Sequence, residues 1–179
     1  MSSPHLFINP DILAYTEKVL NKNEIAIADE IIEKIVSKNK NLKLEATDLL
    51  QSYFGTRPKR PLYYLHHELQ FLPNQTRGAM RYLGDYIDLL IKEATQKLVS
   101  PMKWLLSLGQ NTKALKGKIP DELRQNLVEY NRLLYVPAKH VFDTKGNDHL
   151  FSCREIVYTC FITLKLARQI KMILDTDTI

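Results

Sequence analysis

Residues 121–174 read, in three parts, DELRQNLVEYNRLL (121–134), YVPAKHVFDTKGNDHLF (135–151) and SCREIVYTCFITLKLARQIKMIL (152–174). The first and third parts predict helices, because their apolar residues recur every three or four positions. The third part opens with Ser152-Cys-Arg-Glu155, a capping-box pattern that marks a helix start. We expect the first helix to end before Pro137, since proline has no N–H donor and disfavours helical backbone in the residue before it. These residues therefore predict a helix, a polar loop and a second helix.

The N-terminal third of the chain shows the same helical spacing. Asn9 or Asp11 can cap a first helix, with Pro10 in its first turn. A second helix is expected to begin near Asn23, where apolar residues start to recur every three or four positions. After the polar tract 37–41, interpreted as a loop, Thr47 is expected to cap a third helix.

The middle of the chain continues the helical pattern. The apolar stretch 62–72 fits a helix or a strand, and leucines at helical spacing favour the helix. The longest helix is expected from about residue 74 or 76 to residue 99. A further helix should begin at Pro101 with Trp104 on its apolar face, and the polar stretch 109–120 should connect it to the next one.

The segment Thr56–Pro61, TRPKRP, interrupts the helical pattern. Two prolines and three cations in six residues cannot continue a helix. We therefore predict an all-α protein in two parts: a small N-terminal helical unit at 1–60 and a bundle of about four helices at 74–175. Glycine is scarce, with 6 residues among 179, which favours helices over a β-sandwich with its many turns.

Composition and charge limit the classes of protein that need to be considered. The formal net charge of +5 permits binding to a phosphate backbone without requiring it. The N-terminal residues lack the charged and apolar regions of a signal peptide, and no apolar run has the length of a membrane span. Cys153 and Cys160 lie about 10 Å apart along one predicted helix, too far for a disulfide. We therefore expect reduced cysteines, a cytoplasmic location and no membrane partner.

Patterns that mark common catalytic and metal sites are missing from the sequence. The histidines form no His-Glu-x-x-His pair, and the cysteines form no Cys-x-x-Cys pair, so we predict no metal site. The sequence has no glycine-rich phosphate loop and no Gly-x-Ser-x-Gly nucleophile turn. We predict that the protein uses no cofactor.

A basic and aromatic run follows the first part of the chain. Arg57, Lys59 and Arg60 precede Tyr63 and Tyr64. Cations contact phosphates and aromatic rings stack on bases, so this combination suits single-stranded RNA or DNA. The simpler interpretation is a solvated linker whose tyrosines are buried.

A second group of polar side chains surrounds the expected helix end near Pro137. Arg132 lies in the last turn of that helix, and Lys139 and His140 follow the proline. A histidine can move a proton while arginine and lysine stabilise negative charge on a phosphodiester. The alternative is that Arg132 complements the negative helix end, with Lys139 and His140 as exposed loop residues.

Taken together, residues 74–174 resemble the HEPN superfamily. The resemblance rests on a helix ending in Asn131-Arg132, on His140 after it, and on a long amphipathic closing helix. HEPN proteins are small all-α bundles, often dimeric, and many are metal-independent ribonucleases with an arginine, four to six residues and a histidine as motif. Here seven residues and Pro137 separate Arg132 from His140, so the motif is displaced and lengthened. The resemblance implies Arg132 and His140 as catalytic residues, with RNA as substrate and a homodimer as the assembly.

The sequence leaves two functions in competition. The first is an RNA-directed or defence-related HEPN-like protein, acting as a weak ribonuclease or as an inactive relative, with RNA contacts from Arg57, Lys59, Arg60 and Lys139. The second is a non-catalytic helical module that dimerises or binds a protein partner. A DNA-binding helix-turn-helix at 25–54 is disfavoured, because its recognition helix would carry no cation and two carboxylates, Glu45 and Asp48.

Overall fold

The computed structural model describes residues 3–55, 60–100, 106–140 and 151–176. These residues form eight helices and no strand, which confirms the all-α class, whereas the expected bundle of about four helices understates the count. None of the helices in these ranges is long and apolar enough to cross a membrane. After a short 3-10 turn at Pro4–Leu6, the helices are α1 (Pro10–Val19), α2 (Lys22–Val36), α3 (Lys40–Ser52), α4 (Arg60–Leu69), α5 (Arg77–Leu98), α6 (Leu108–Ala114), α7 (continuous through Asp121–Tyr130, Asn131–Tyr135 and Val136–Lys139) and α8 (Cys153–Asp175).

Side-chain caps explain where several helices begin. Asn9 caps α1 by accepting the Asp11 N–H at 2.8 Å, as its sequence suggested. Ser152 and Glu155 form the predicted capping box of α8, in which each side chain accepts the other residue's backbone N–H. These bonds satisfy donors that the first turn of a helix leaves unpaired, so the helix start is fixed locally.

Two predicted connections in the chain are partly helical. Helix α3 begins at Lys40 because Asn39 caps it, accepting the N–H groups of Asn41 and Leu42. Thr47, expected as the cap, is buried within that helix. Helix α6 occupies part of the expected connection 109–120 and is started by a capping box at Ser107. The helix expected from Pro101 falls on residues 101–105, outside the described ranges.

Helix α7 passes through Pro137 rather than ending before it. Its central segment, Asn131–Tyr135, has π-helical geometry, and the Val136 N–H donates to the Asn131 carbonyl five residues earlier. The wider turn changes the hydrogen-bond register just before a residue that can donate none, so the chain stays helical to Lys139. The prediction that the helix ends before Pro137 is therefore wrong.

One hydrophobic core runs through the described parts of the chain. Helices α5 and α8 pack along each other at its centre, and α8 also contacts α1, α2 and α7. Polar contacts reinforce this packing: the Tyr15 hydroxyl donates to the Asn126 carbonyl at 2.6 Å, and Lys165 Nζ donates to Glu24 at 2.9 Å. The first three helices therefore share their core with the later ones. The predicted division into parts 1–60 and 74–175 stays a prediction.

Candidate functional site

The predicted basic and aromatic run leads into the first turn of α4. Arg57 and Lys59 lie outside the described residues, and Arg60 is the first residue of the helix. Tyr63 is 67% exposed and Tyr64 is 38% exposed. The inward face of α4 is supplied by Leu62, Leu65 and Leu69, so the helical spacing leaves the tyrosines on the outer side. The tyrosines are therefore not buried, contrary to what the simpler interpretation had expected.

Tyrosine rings of α4 and α5 cluster at a groove between these two helices. Tyr64 stacks on Tyr82, with ring centroids 5.3 Å apart and planes inclined by 24°. Tyr63 meets Tyr64 edge-on at 5.6 Å. We name this cavity of about 360 Å³ the tyrosine groove, and its walls are formed by Arg60, Pro61, Tyr64, Tyr82, Asp85, Asp88, Leu89 and Lys92.

Two carboxylates lie on the α5 wall of the tyrosine groove. Asp88 Oδ2 pairs with Lys92 Nζ at 3.0 Å, whereas Asp88 Oδ1 is buried and has no hydrogen-bond partner among the described residues. Asp85 Oδ1 accepts a hydrogen bond from the Tyr135 hydroxyl at 2.5 Å. The groove therefore combines aromatic rings, cations and hydrogen-bond acceptors.

Tyr135 connects the groove to the second predicted group of residues. Its ring packs where α7 crosses α5 at Gly84, and a Cβ atom at position 84 would collide with that ring. Burial and the bond to Asp85 raise the pKa of Tyr135, so its hydroxyl stays protonated and acts as a donor. Lys139 places its Nζ 4.4 Å from the centre of the same ring, a cation–π contact.

The structure places Arg132 and His140 on the same helix but does not bring them into contact. Arg132 is exposed on the π-helical segment, and His140 is exposed just past the end of α7. Eight positions of helix separate their backbones by on the order of 10 Å. No hydrogen bond joins the two side chains in the described part of the chain. Their catalytic pairing stays a prediction.

The groove and the Arg132–His140 segment meet at one residue. Asp85 lines the tyrosine groove and also bonds Tyr135, which lies between Arg132 and Lys139 on α7. Two predicted nucleic-acid residues from distant parts of the sequence, Arg60 and Lys139, are thereby linked through Asp85 and Tyr135. The candidate site comprises the tyrosine groove and this segment of α7.

The site residues on α5 were not predicted from the sequence. Tyr82, Asp85, Asp88 and Lys92 follow one another at intervals of three and four, the spacing of one helix face. That spacing was visible in the sequence as a polar stripe beside the apolar stripe of α5. What the spacing alone could not show is that α4 would lie against this stripe and close it into a groove.

The cysteines and histidines offer no alternative centre in the described residues. Both cysteines are free, as their spacing predicted, and both are buried. Burial raises the pKa of the Cys153 thiol to about 12, so the reactive thiolate is scarce near neutral pH. In these ranges no three His, Cys, Asp or Glu side chains are grouped so that they could hold a metal ion.

Comparisons with protein-family models, with curated proteins and with solved structures gave no match to this chain. The resemblance to HEPN proteins therefore rests on the residues of this sequence alone.

Proposed function

We propose that the protein is an RNA-directed, HEPN-like protein that binds single-stranded RNA across the tyrosine groove. The observation that carries the proposal is the exposure of Tyr63 and Tyr64 beside Arg60, with Tyr64 stacked on Tyr82. Each stacked base contributes about 1–3 kcal/mol, whatever its sequence. Adjacent tyrosines suit consecutive unpaired bases, which a duplex would keep stacked on each other.

Charge at the edges of the surface supports contact with a phosphate backbone. Arg60 and Lys92 line the groove, and Lys139 lies over the ring of Tyr135, whose hydroxyl bonds Asp85 of the groove. Arg81 lies close enough to Tyr135 for its charge to favour the ionised hydroxyl. These four cations outnumber Asp85 and Asp88, and Lys92 already neutralises part of the Asp88 charge. A strand whose bases stack in the groove would thus have cations within reach of its phosphates.

Cleavage of the bound strand is proposed for the α7 side of this surface. His140 would move a proton at the reacting phosphodiester, and Arg132 with Lys139 would stabilise the charge that develops on phosphate. The segment that carries Arg132 is π-helical, and π-helical turns are frequent at functional sites. The chemistry needs no metal ion, in keeping with the family that the sequence resembles.

Binding is tested by fluorescence anisotropy with a labelled single-stranded RNA. Tyr64→Ala removes the ring that stacks on Tyr82, so we expect a loss of about 1–3 kcal/mol in binding free energy. Tyr53→Ala is the matched control, because Tyr53 is 43% exposed, directly follows the last residue of α3 and is not among the residues that line the groove. Equal affinities for the wild type and the Tyr64→Ala variant would rule out the groove as the RNA-binding surface.

Cleavage is tested with the His140→Ala variant. Loss of the imidazole should abolish RNA cleavage without lowering the unfolding temperature, because the side chain is exposed. His5→Ala, which removes a histidine of the N-terminal 3-10 turn, is the control and should cleave as the wild type does. Unchanged cleavage by His140→Ala would remove this residue from the mechanism.

A second candidate function, self-association, is favoured by an exposed apolar stripe on α3. Leu42, Leu49 and Tyr53 recur at intervals of seven and four and are 37%, 42% and 43% exposed. A second copy of the chain could cover this stripe in a two-fold dimer. Light scattering should then show a dimer that Leu49→Lys converts to a monomer, and a monomeric wild type would eliminate this function.

A further inference from the structure

We infer that the tyrosine groove selects guanine among the bases of a bound RNA. The inference rests on the proposed function and adds the identity of the base. Three features of the groove carry it: its size, its two carboxylates, one of which has an unpartnered oxygen among the described residues, and the placement of its cations. Each corresponds to one chemical part of a nucleotide.

The size and lining of the groove fit one base. Its volume of about 360 Å³ is at the lower end of the range of small-molecule pockets, roughly 300–1,000 Å³. Tyr64 and Tyr82 supply flat aromatic surface, while Pro61 and Leu89 supply apolar walls. A planar purine with apolar faces and polar edges can stack in such a space and direct its edge to α5.

The α5 wall presents acceptors that lack donors. Within the described ranges, Asp88 Oδ1 is buried and has no hydrogen-bond partner, a costly state for a carboxylate oxygen. The Tyr135 hydroxyl donates to Oδ1 of Asp85, and a carboxylate can accept several hydrogen bonds, so Asp85 retains acceptor capacity for a ligand. The two carboxylates are three positions apart on one helix, so they face the groove together. A small rotation of Asp88 would turn its unpaired oxygen to a ligand donor.

Guanine has the Watson–Crick edge that best matches these acceptors. It carries two adjacent donor groups, the ring N1–H and the exocyclic N2 amino group, which can bond carboxylate oxygens together. Adenine and cytosine present one amino donor each, and carboxylates accept from such groups as well. Uracil presents a single N–H between two carbonyl oxygens, which a carboxylate repels. The chemistry therefore orders the bases as guanine first, adenine and cytosine next, and uracil last.

The cations of the groove favour binding of a nucleotide over binding of a basic peptide. Arg60 and Lys92 stand in the same groove as Asp85 and Asp88, so its charges balance. A cationic peptide would gain from the carboxylates but would be repelled by Arg60 and Lys92. A guanosine phosphate presents donors on its base and negative charge on its phosphate, and thus complements both sets of groups.

The experiment compares four labelled ten-nucleotide RNAs, uridine throughout except for one central guanosine, adenosine, cytidine or uridine. Fluorescence anisotropy of the wild type should show about tenfold tighter binding of the guanosine RNA than of the all-uridine RNA. The Asp88→Asn and Asp85→Asn variants should each lower this ratio, because an amide replaces an acceptor by a donor. Asp48→Asn removes an equal charge from an exposed position of α3, so this variant should keep the wild-type ratio of guanosine to uridine binding.

The possible outcomes separate the inference from the function on which it rests. Equal binding of all four RNAs by the wild type would overturn guanine selection while leaving RNA binding in place. A guanine preference that both the Asp88→Asn and the Asp85→Asn variant retain would also overturn it, since the base would be read elsewhere. Binding of none of the RNAs would overturn both proposals. Thermal unfolding of each variant confirms that it is folded when its affinities are measured.

Discussion

At the residue scale, the candidate site depends on the contact between Gly84 and Tyr135. The absence of a side chain at position 84 lets the tyrosine ring lie directly against α5. From there its hydroxyl reaches Asp85 and its ring reaches Lys139. The partner of Gly84 in this contact lies more than fifty residues away in the sequence, so it could not be identified without the fold.

The Gly84→Ala variant tests this contact. Alanine would favour the helix by about 1 kcal/mol, but its methyl group would collide with the Tyr135 ring, and overpacking of this kind costs about 1–3 kcal/mol. We therefore expect lower stability in urea unfolding. Gly78→Ala is the matched control, because its methyl group would meet only the end of the flexible Glu68 side chain, 2.6 Å away. Greater stability of Gly84→Ala than of the wild type would show that the two helices are not in close contact there.

At the scale of helices, local signals predicted starts better than ends. Asn9, Ser152 and Glu155 act on donors within one turn, so their effect could be inferred from neighbouring residues. Pro137 led to the wrong end for α7, because a change to π-helical hydrogen bonding lets the helix continue. That change accompanies the packing of Tyr135 against α5, which is a tertiary contact.

His66, which lies at the contact between α3 and α4, predicts that the stability of the protein depends on pH. Gln51 on α3 donates to the His66 carbonyl on α4 at 2.7 Å, and His66 Nε2 is buried without a partner in the described residues. Burial lowers the pKa of His66 in the folded protein below its ordinary value of 6.5. The unfolded chain therefore takes up the proton first, and the contribution of His66 to stability is present above that value and lost as the pH falls below it.

Urea unfolding between about pH 5 and 8 measures this effect. The wild type should lose stability toward acid, and His66→Gln should lose less of it over the same range. His67→Gln, which removes the neighbouring imidazole, is the control and should follow the wild type. Identical pH profiles for His66→Gln and the wild type would show that His66 is not the group responsible.

At the scale of the whole molecule, the sequence predicted the all-α class from scarce glycine and helical spacing. The helix count was too low because short helices such as α6 resemble polar connections. The arrangement of the helices lay beyond local patterns. Arg60, Tyr63 and Tyr64 could be proposed as a basic and aromatic run, but Asp85 and Asp88 joined it only when α4 packed on α5. A site formed between helices is specified by the core beneath it, and the surface residues alone do not reveal it.

The central claim is that single-stranded RNA binds across the tyrosine groove, and ultraviolet cross-linking tests it most directly. The bound RNA is cross-linked to the full chain, and the linked residues are identified by mass spectrometry of the digested protein. We predict cross-links to Tyr63, Tyr64 or Tyr82, the rings that line or border the groove. Cross-links confined to α3 or α8, with none on α4 or α5, would contradict the claim.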